Sequence, residues 1–458
     1  MYFFRLTHLA HSPQRRQLLG RAAICTGLLA ALLLLLTSGA PDRVRAQDNQ
    51  EADIIVQFDD NARAVRTVEF TAAISGLRAL QLSGLEVVTT ATSFGPAVCS
   101  IEKVGCPAEN CFCDANRFWA YSYWDGSAWQ SYPVGADSSL ITQIGAIEGW
   151  RWGEFGAAQT SPTQTLAAAD ALSWLHARQS ITNGGYIAIG AAVETMLAIG
   201  ANQTSANDWR RTPTSPSLAD FVAIGGAGYA RTTAAGAGKM AVATTASEAC
   251  FPAGGLTALG HYSPTLGAFS TQSGPNSWAI LGTLAVSETV PVSATAYLKR
   301  QVQPNGGWEW APGWGADTNA TALAIQALIA AGDPISSSTI ISALTFLETA
   351  QNEDGGFAYD LTPDALSDAN STGYVVQSLI AAGEDPLGTR WTISATTPIS
   401  YLLTLQLPDG SFEWQPGTGA NQLATQQVIP ALLGRAHPAV RAPLQTCPVR
   451  YLPLVANQ

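Results

Sequence analysis

Apolar and polar positions along this chain follow two periods, one after the other. Over residues 51–156 the period is two. Ile54, Val56 and Phe58 alternate with Asp53, Ile55 and Gln57, and Val68 and Phe70 flank Glu69. This spacing predicts strands with one face in a core and the other in solvent. Glycines at 76, 84, 95 and 105 punctuate the runs. An aromatic stretch, Phe118-Trp119-Ala120-Tyr121-Ser122-Tyr123-Trp124, leads into Asp125-Gly126 and then Trp129, which predicts a tight hairpin. Gly149-Trp150-Arg151-Trp152-Gly153 closes the segment, and the Ala-, Thr- and Ser-containing stretch 157–165 predicts a linker.

From about Leu166 the period becomes helical and the text repeats itself. Asp317 to Gly332 and Asp368 to Gly383 match at an offset of 51, each with a Thr four residues in (Thr321, Thr372). Asn421 with Thr425 opens a third copy. A divergent one runs from Asn276 and Trp278, and another spans Ala191 to Gly200. A second element alternates with these. It is Trp174-Leu175 with Gln179 and Gly184-Gly185-Tyr186, then Tyr297-Leu298 with Gln301 and Gly306-Gly307-Trp308. It returns as Phe346-Leu347 with Gln351 and Gly355-Gly356-Phe357, and as Tyr401-Leu402 with Gln406 and Asp409-Gly410-Ser411-Phe412. The aromatic–Leu pair anchors one helix, and the Gln reaches backbone groups at its end. Glycine permits the turn, and Asp or Asn caps the next, Ala- and Leu-rich helix. One such pair cannot bury its apolar face alone, so about five or six pairs must stack or close. Residues 200–260 fit the pattern poorly and read as a degenerate pair.

These repeats resemble the Gln–aromatic repeat of squalene and other terpenoid cyclases, which also marks the α/α toroid of protein prenyltransferases. The aromatic hairpin with Gly149-Trp150-Arg151-Trp152 resembles the small β domain of the transcobalamin and intrinsic-factor carriers. Those carriers hold cobalamin between a toroid and such a β domain, but in the reverse chain order. The expected fold class is therefore α+β multidomain: a small all-β domain over 47–156, then an all-α toroid of tandem helix pairs over 166–440, with a tail over 441–458.

The N-terminus changes where this fold is expected to work. Arg15-Arg16 precedes an apolar run from about Ala22 to Leu36, and Val44-Arg45-Ala46 has the small residues of a cleavage site. Residues 1–46 therefore predict an export signal, by the Sec or twin-arginine route, to the outside or the cell surface. With it removed, no segment is expected to span a membrane. Residues 1–46 carry six Arg and one Asp, so their loss takes the net charge from −11 to −16. Such a surface repels phosphate backbones, which argues against nucleic acid. Six cysteines remain: Cys99, Cys106, Cys111, Cys113, Cys250 and Cys447. An even count in an exported chain favours disulfides, with Cys250 and Cys447 as long-range candidates. The rival is a metal site at Cys106, Cys111 and Cys113.

Catalytic signatures are weak. The D-x-D-D acid of the cyclases is reduced to Asp317-Thr318-Asn319 and Asp368-Ala369-Asn370, whose acids read as helix caps. The Asp, Cys and His of a prenyltransferase zinc site have no counterpart, and no D-D-x-x-D motif is present. Gly238-Lys239 lacks the first Gly of a phosphate loop. No catalytic residue and no metal is therefore assigned. If the inner-helix N-termini face one mouth, they gather Asp317, Asn319, Asp368, Asn370, Asn421 and Gln422, with Trp278, Trp314 and Trp414 beside them. Aromatic walls with a few amides and carboxylates suit a large, partly apolar ligand. Trp308 and Phe357 read as packing between repeats. The leading expectation is non-enzymatic ligand binding at this mouth, completed by the β domain. A cobalamin-like corrinoid is the ligand that the resemblance implies. The alternatives are a terpenoid-cyclase or prenyltransferase-like enzyme on an isoprenoid, and a surface module that binds a cell-surface partner without any small ligand.

Overall fold

The computed structural model describes residues 50–448. The expected export signal and the end of the tail lie outside the described residues.

The β domain is built on a five-stranded sheet. β1 (Gln50–Gln57) and β2 (Arg63–Phe70) form a hairpin, and β10 (Ala146–Glu154) lies parallel to β1. Then come β7 (Arg117–Trp124) and β8 (Trp129–Ser131), giving the order β2-β1-β10-β7-β8. Between these in the chain lie the short β3 (Ile74–Ser75) and β9 (Leu140–Ile141), which pair with each other. A three-stranded sheet is formed by β4 (Val87–Thr92), β5 (Gly95–Ile101) and β6 (Val104–Gly105). One short helix, α1 (Gly76–Leu82), adds Ala79 and Leu80 to a core with Ile54, Val56, Trp119 and Trp150. The alternation read from sequence is realised on one face, with Ile54 and Val56 inward, but the other face is not left to solvent, since Ile55 and Gln57 are buried as well. The Asp125-Gly126 turn also forms. The Asp125 carboxylate accepts from the Ser127 and Ala128 amides, both at 2.8 Å, and Gly126 takes φ +100°. Cys99–Cys111 and Cys106–Cys113 are disulfides, as is Cys250–Cys447. The cysteines proposed as a rival metal site are therefore spent in bonds.

The helical part begins with α2 (Thr163–Arg178) and α3 (Ile189–Ala201), followed by the short α4 (Leu218–Gly225) and α5 (Ala227–Thr232), α6 (Ala234–Ala246) and α7 (Ser273–Ala285). It continues with α8 (Val292–Arg300), α9 (Thr318–Ala330), α10 (Ser338–Ala350), α11 (Ala369–Ala381), α12 (Pro398–Thr404) and α13 (Gln422–Leu432). Six of these form an inner ring in the order α3, α6, α7, α9, α11, α13 and back to α3. The closure is hydrogen-bonded. Gln426 donates to Ala191 O at 2.8 Å and to Thr195 Oγ1 at 2.7 Å, and the Trp174 indole donates to Asp409 at 2.9 Å.

The repeat residues act as staples between neighbours. Gln351 Nε2 donates to Gly355 O in its own turn and to Trp391 O in the next repeat. Gln179 does the same to Gly184 O and Trp209 O, and Gln406 to Gly410 O and Ala167 O. Thr321, Thr372 and Thr425 each accept, at 2.9 Å, from the amide of the buried turn aromatic, Trp308, Phe357 or Phe412. The poorly fitting region contributes a full inner helix, α6. A Cβ on Gly238 would sit 2.0 Å from Trp278 O, and one on Gly282 2.3 Å from Gly238 Cα. Helices α6 and α7 meet backbone to backbone, so glycine and alanine replace the larger apolar residues there.

The β domain lies against the end of the ring where the inner helices finish, within one compact unit. Asn202, just past α3, brackets Val65, accepting its N–H at 2.8 Å and donating to its carbonyl at 3.1 Å. Arg66 donates to Asn202 O and Gln203 O, both at 2.7 Å, and the Arg63 amide to Leu433 O at 2.9 Å. A cation on helix C-terminal carbonyls is favourable. This overturns the expectation that the β domain completes the mouth at the inner-helix N-termini. It covers the opposite one. The expected linker is held too, with Thr160 O accepting from the Trp129 indole at 2.8 Å.

Candidate functional site

The N-terminal mouth is built from helix caps and the loops before them. Asp317 caps α9: its Oδ1 accepts from the Ala320 amide and its Oδ2 from the Trp310 amide, both at 2.7 Å. Burial pushes its carboxyl up to about 6, against the pull of those amides. Asp368 caps α11, accepting from the Ser371 amide at 2.8 Å and the Ser371 hydroxyl at 2.7 Å, and burial raises it as well. Asn421 caps α13 through the Ala424 amide at 3.0 Å. Both acids are buried with both oxygens occupied, so neither is presented to a ligand. Asn370 donates to Gln427 at 2.6 Å on the neighbouring inner helix, Asn319 is half-buried, and Gln422 keeps a buried Nε2 without a partner.

The loops before these helices form an apolar rim. The Ala369 amide donates to Trp414 O at 2.9 Å and the Thr318 amide to Tyr359 O at 3.1 Å, so each loop lies over the preceding inner helix. Trp314 is 71 % exposed, Trp414 42 %, Leu366 67 % and Ile187 96 %. Trp314 and Trp414 thus belong to the mouth with Asp317, Asp368 and Asn421. Trp278 does not: it is 1 % exposed inside α7, where close packing against α6 buries it.

Trp278 instead belongs to a polar cluster in the middle of the ring. Lys239 of α6 pairs with Glu194 of α3 at 2.5 Å, and its ammonium lies 4.6 Å from the centre of the Trp278 ring. Tyr374, on the opposite helix α11, brings its hydroxyl to the same pair. Burial alone would push the Lys239 ammonium down, but Glu194, Tyr374 and Tyr229 hold it above the ordinary lysine value. Burial drives Tyr374 up to about 12. From the C-terminal side His437 enters, its amide donating to Gln326 Oε1 at 2.9 Å and its ring 5.3 Å from that of Trp278. Sequence reading passed over this cluster, although a signal was present. Glu194 and Lys239 are the only charged residues in the six inner helices, and lone opposite charges in apolar helices pair when buried.

Burial, and then Lys239, depress the His437 imidazole to about 3 from an ordinary 6.5. The unfolded chain therefore binds this proton near pH 6.5, and the fold only near pH 3. Stability is expected to fall as pH drops from 6.5 toward 3, by at most about 1.4 kcal/mol per pH unit from this group. Urea midpoints at pH 7, 6 and 5 should show the decline, and His437→Gln should flatten it. An unchanged slope in that variant would assign the effect elsewhere.

Among the described residues no group of three His, Cys, Asp or Glu side chains is placed to hold a metal, and no helix is long and apolar enough to cross a membrane.

Comparison with known proteins bears on the ring. The family model of the squalene-hopene cyclase C-terminal domain matches residues 274–423. No curated protein matches the chain. Among solved structures, the type II terpene cyclase MstE from Scytonema is 14 % identical, covering 60 % of this chain and 98 % of that one, with a TM-score of 0.41. Protein geranylgeranyltransferase-I of Candida albicans is 17 % identical over 35 % of this chain and 48 % of its own, with a TM-score of 0.29. Haptocorrin in complex with Cbi is 14 % identical over 25 % and 28 %, with a TM-score of 0.19. The chain spans about half the length of the transferase it matches. Over residues 274–423 the chain is thus similar to the squalene-hopene cyclase C-terminal domain.

Proposed function

We propose that this chain is an exported, non-enzymatic binding protein that takes a large, partly apolar ligand at the mouth formed by the inner-helix N-termini. The observation that carries this reading is the filled ring beneath that mouth. Glu194, Lys239 and Tyr374 set charged and hydroxyl groups in the middle of the ring, which suits an apolar chain poorly, while the apolar surface of Trp314 and Trp414 is left outside. The acids that stand where a cyclase acid would stand are engaged by backbone amides. Three disulfides support an oxidising compartment. A corrinoid is the first ligand to try, because the toroid repeats and the Gly149-Trp150-Arg151-Trp152 β segment of the sequence resemble those of the cobalamin carriers.

The test is a visible-absorbance titration of residues 47–458 with cobalamin and cobinamide. Saturable binding at micromolar affinity or tighter is expected. Trp314→Ala and Trp414→Ala should each weaken it about tenfold, roughly 1.4 kcal/mol for one buried aromatic contact. No spectral change with folded protein would remove the corrinoid, and an apolar fluorescent probe should then be titrated against the same variants. The enzyme reading rests on the family match over 274–423. Cyclised product from a polyprenyl substrate would establish it in place of this one.

A further inference from the structure

The β domain carries a cleft of its own, lined by residues between Leu77 and Ser161. Strand β7 is bonded to β10 along residues 117–123, but on its other side β8 covers only residues 122–124. Residues 117–121 therefore have no strand on that side among the described residues. A cleft of about 1080 Å³ is lined by the successive residues Phe118, Trp119, Ala120, Tyr121 and Ser122. Neighbours in a strand point to opposite faces, so a cleft that touches them all follows the strand's free edge. Half-exposed Ala120, in the middle of β7, fits an open edge.

Two features narrow the occupant. Arg151 pairs in register with Ala120 and lines the same cleft. Its side chain is 10 % exposed, and its Nε and Nη1 have no hydrogen-bond partner. Its Nη2 reaches Asp60 at 3.2 Å. Gln159 Nε2, also on the cleft wall, is a second buried donor without an acceptor. Arg151 and Ala120 are paired in register and so share one face of the sheet, and an acidic side chain placed opposite Ala120 in an added chain lies on the guanidinium's face. Phe112 (66 % exposed), between the disulfide-bonded Cys111 and Cys113, lines the same cleft, as do Phe118 and Phe155, whose rings lie 6.3 Å apart. A bare edge supplies alternating N–H and C=O groups that an extended backbone satisfies.

We infer that the free edge of β7 is a strand-addition site for an extended polypeptide segment carrying an acidic residue opposite Ala120. The test selects random ten-residue displayed peptides against residues 47–458 and titrates labelled winners by anisotropy. Winners are expected to share an Asp or Glu. Their affinity should fall at least tenfold with Arg151→Met, and also when the peptide's own acid is changed to its amide, a change that leaves the protein untouched. Amide exchange at residues 117–121 should slow in the complex. No enrichment, affinity indifferent to both changes, or unaltered exchange at 117–121 would overturn the inference. Competition by a small aromatic carboxylate with no peptide binding would overturn it too.

Discussion

Replacing Cys250 and Cys447 together by serine is expected to cost about 5 kcal/mol of stability, because their bond closes a loop of 197 residues. That loop holds α7 to α13, four of the six inner helices. In the unfolded chain a crosslink over such a distance removes a large conformational freedom, and serine restores it. The folded state loses a tie as well. The tail that follows α13 runs back to the end of α6, where the Arg441 and Ala442 amides donate to Thr245 O and the Cys447 amide to Phe251 O. Arg441 bonds Glu102 of the β domain at 2.9 Å and Glu248 at 3.4 Å. The disulfide therefore fastens ring, tail and β domain at one place. Cys99–Cys111 and Cys106–Cys113 span only 12 and 7 residues, and each is expected to contribute about 2–3 kcal/mol. Urea unfolding of the three double-serine variants checks the order. A loss under 1 kcal/mol for Cys250 and Cys447 would mean that the tail is held without the bond.

What was legible in the sequence is what the repeats use chemically. Gln351, Thr372 and Phe357 recur at fixed spacing because each makes one particular bond, Gln351 to Trp391 O and the Phe357 amide to Thr372. Changing the spacing breaks the bond, so the pattern survives in the text. Helix α6 was hidden for the opposite reason. At Gly238 the packing requires that no side chain be present, and an absence reads as low complexity. The site divided in the same way. Asp317, Asp368 and Asn421 were legible as caps, and Trp314 and Trp414 as loop aromatics at the same mouth. Trp278 was misplaced because an aromatic beside a cap position has the same spelling whether it faces a mouth or a neighbouring helix. The seat of the β domain was not legible at all. Asn202 O, Gln203 O and Leu433 O receive it through backbone atoms, which leave no mark on residue identity.

Lys239→Met is expected to destabilise the fold by about 3–5 kcal/mol, since it leaves Glu194 charged, buried and unpaired. Glu194→Gln should cost a similar amount by stranding the ammonium over Trp278. The double variant, Lys239→Met with Glu194→Gln, removes both charges at once and should recover most of the loss, because a buried ion pair is worth little more than an apolar pair of its size. Urea denaturation of the two single variants and the double one measures the coupling. The same proteins separate the two accounts of the ring. If Glu194, Lys239 and Tyr374 only close the middle of the toroid, the refolded double variant binds the ligand proposed for the mouth with unchanged affinity, and Trp314→Ala still weakens it. If the pair itself contacts the ligand, the stable double variant loses affinity while the mouth variants do not, and the site moves from the rim into the ring.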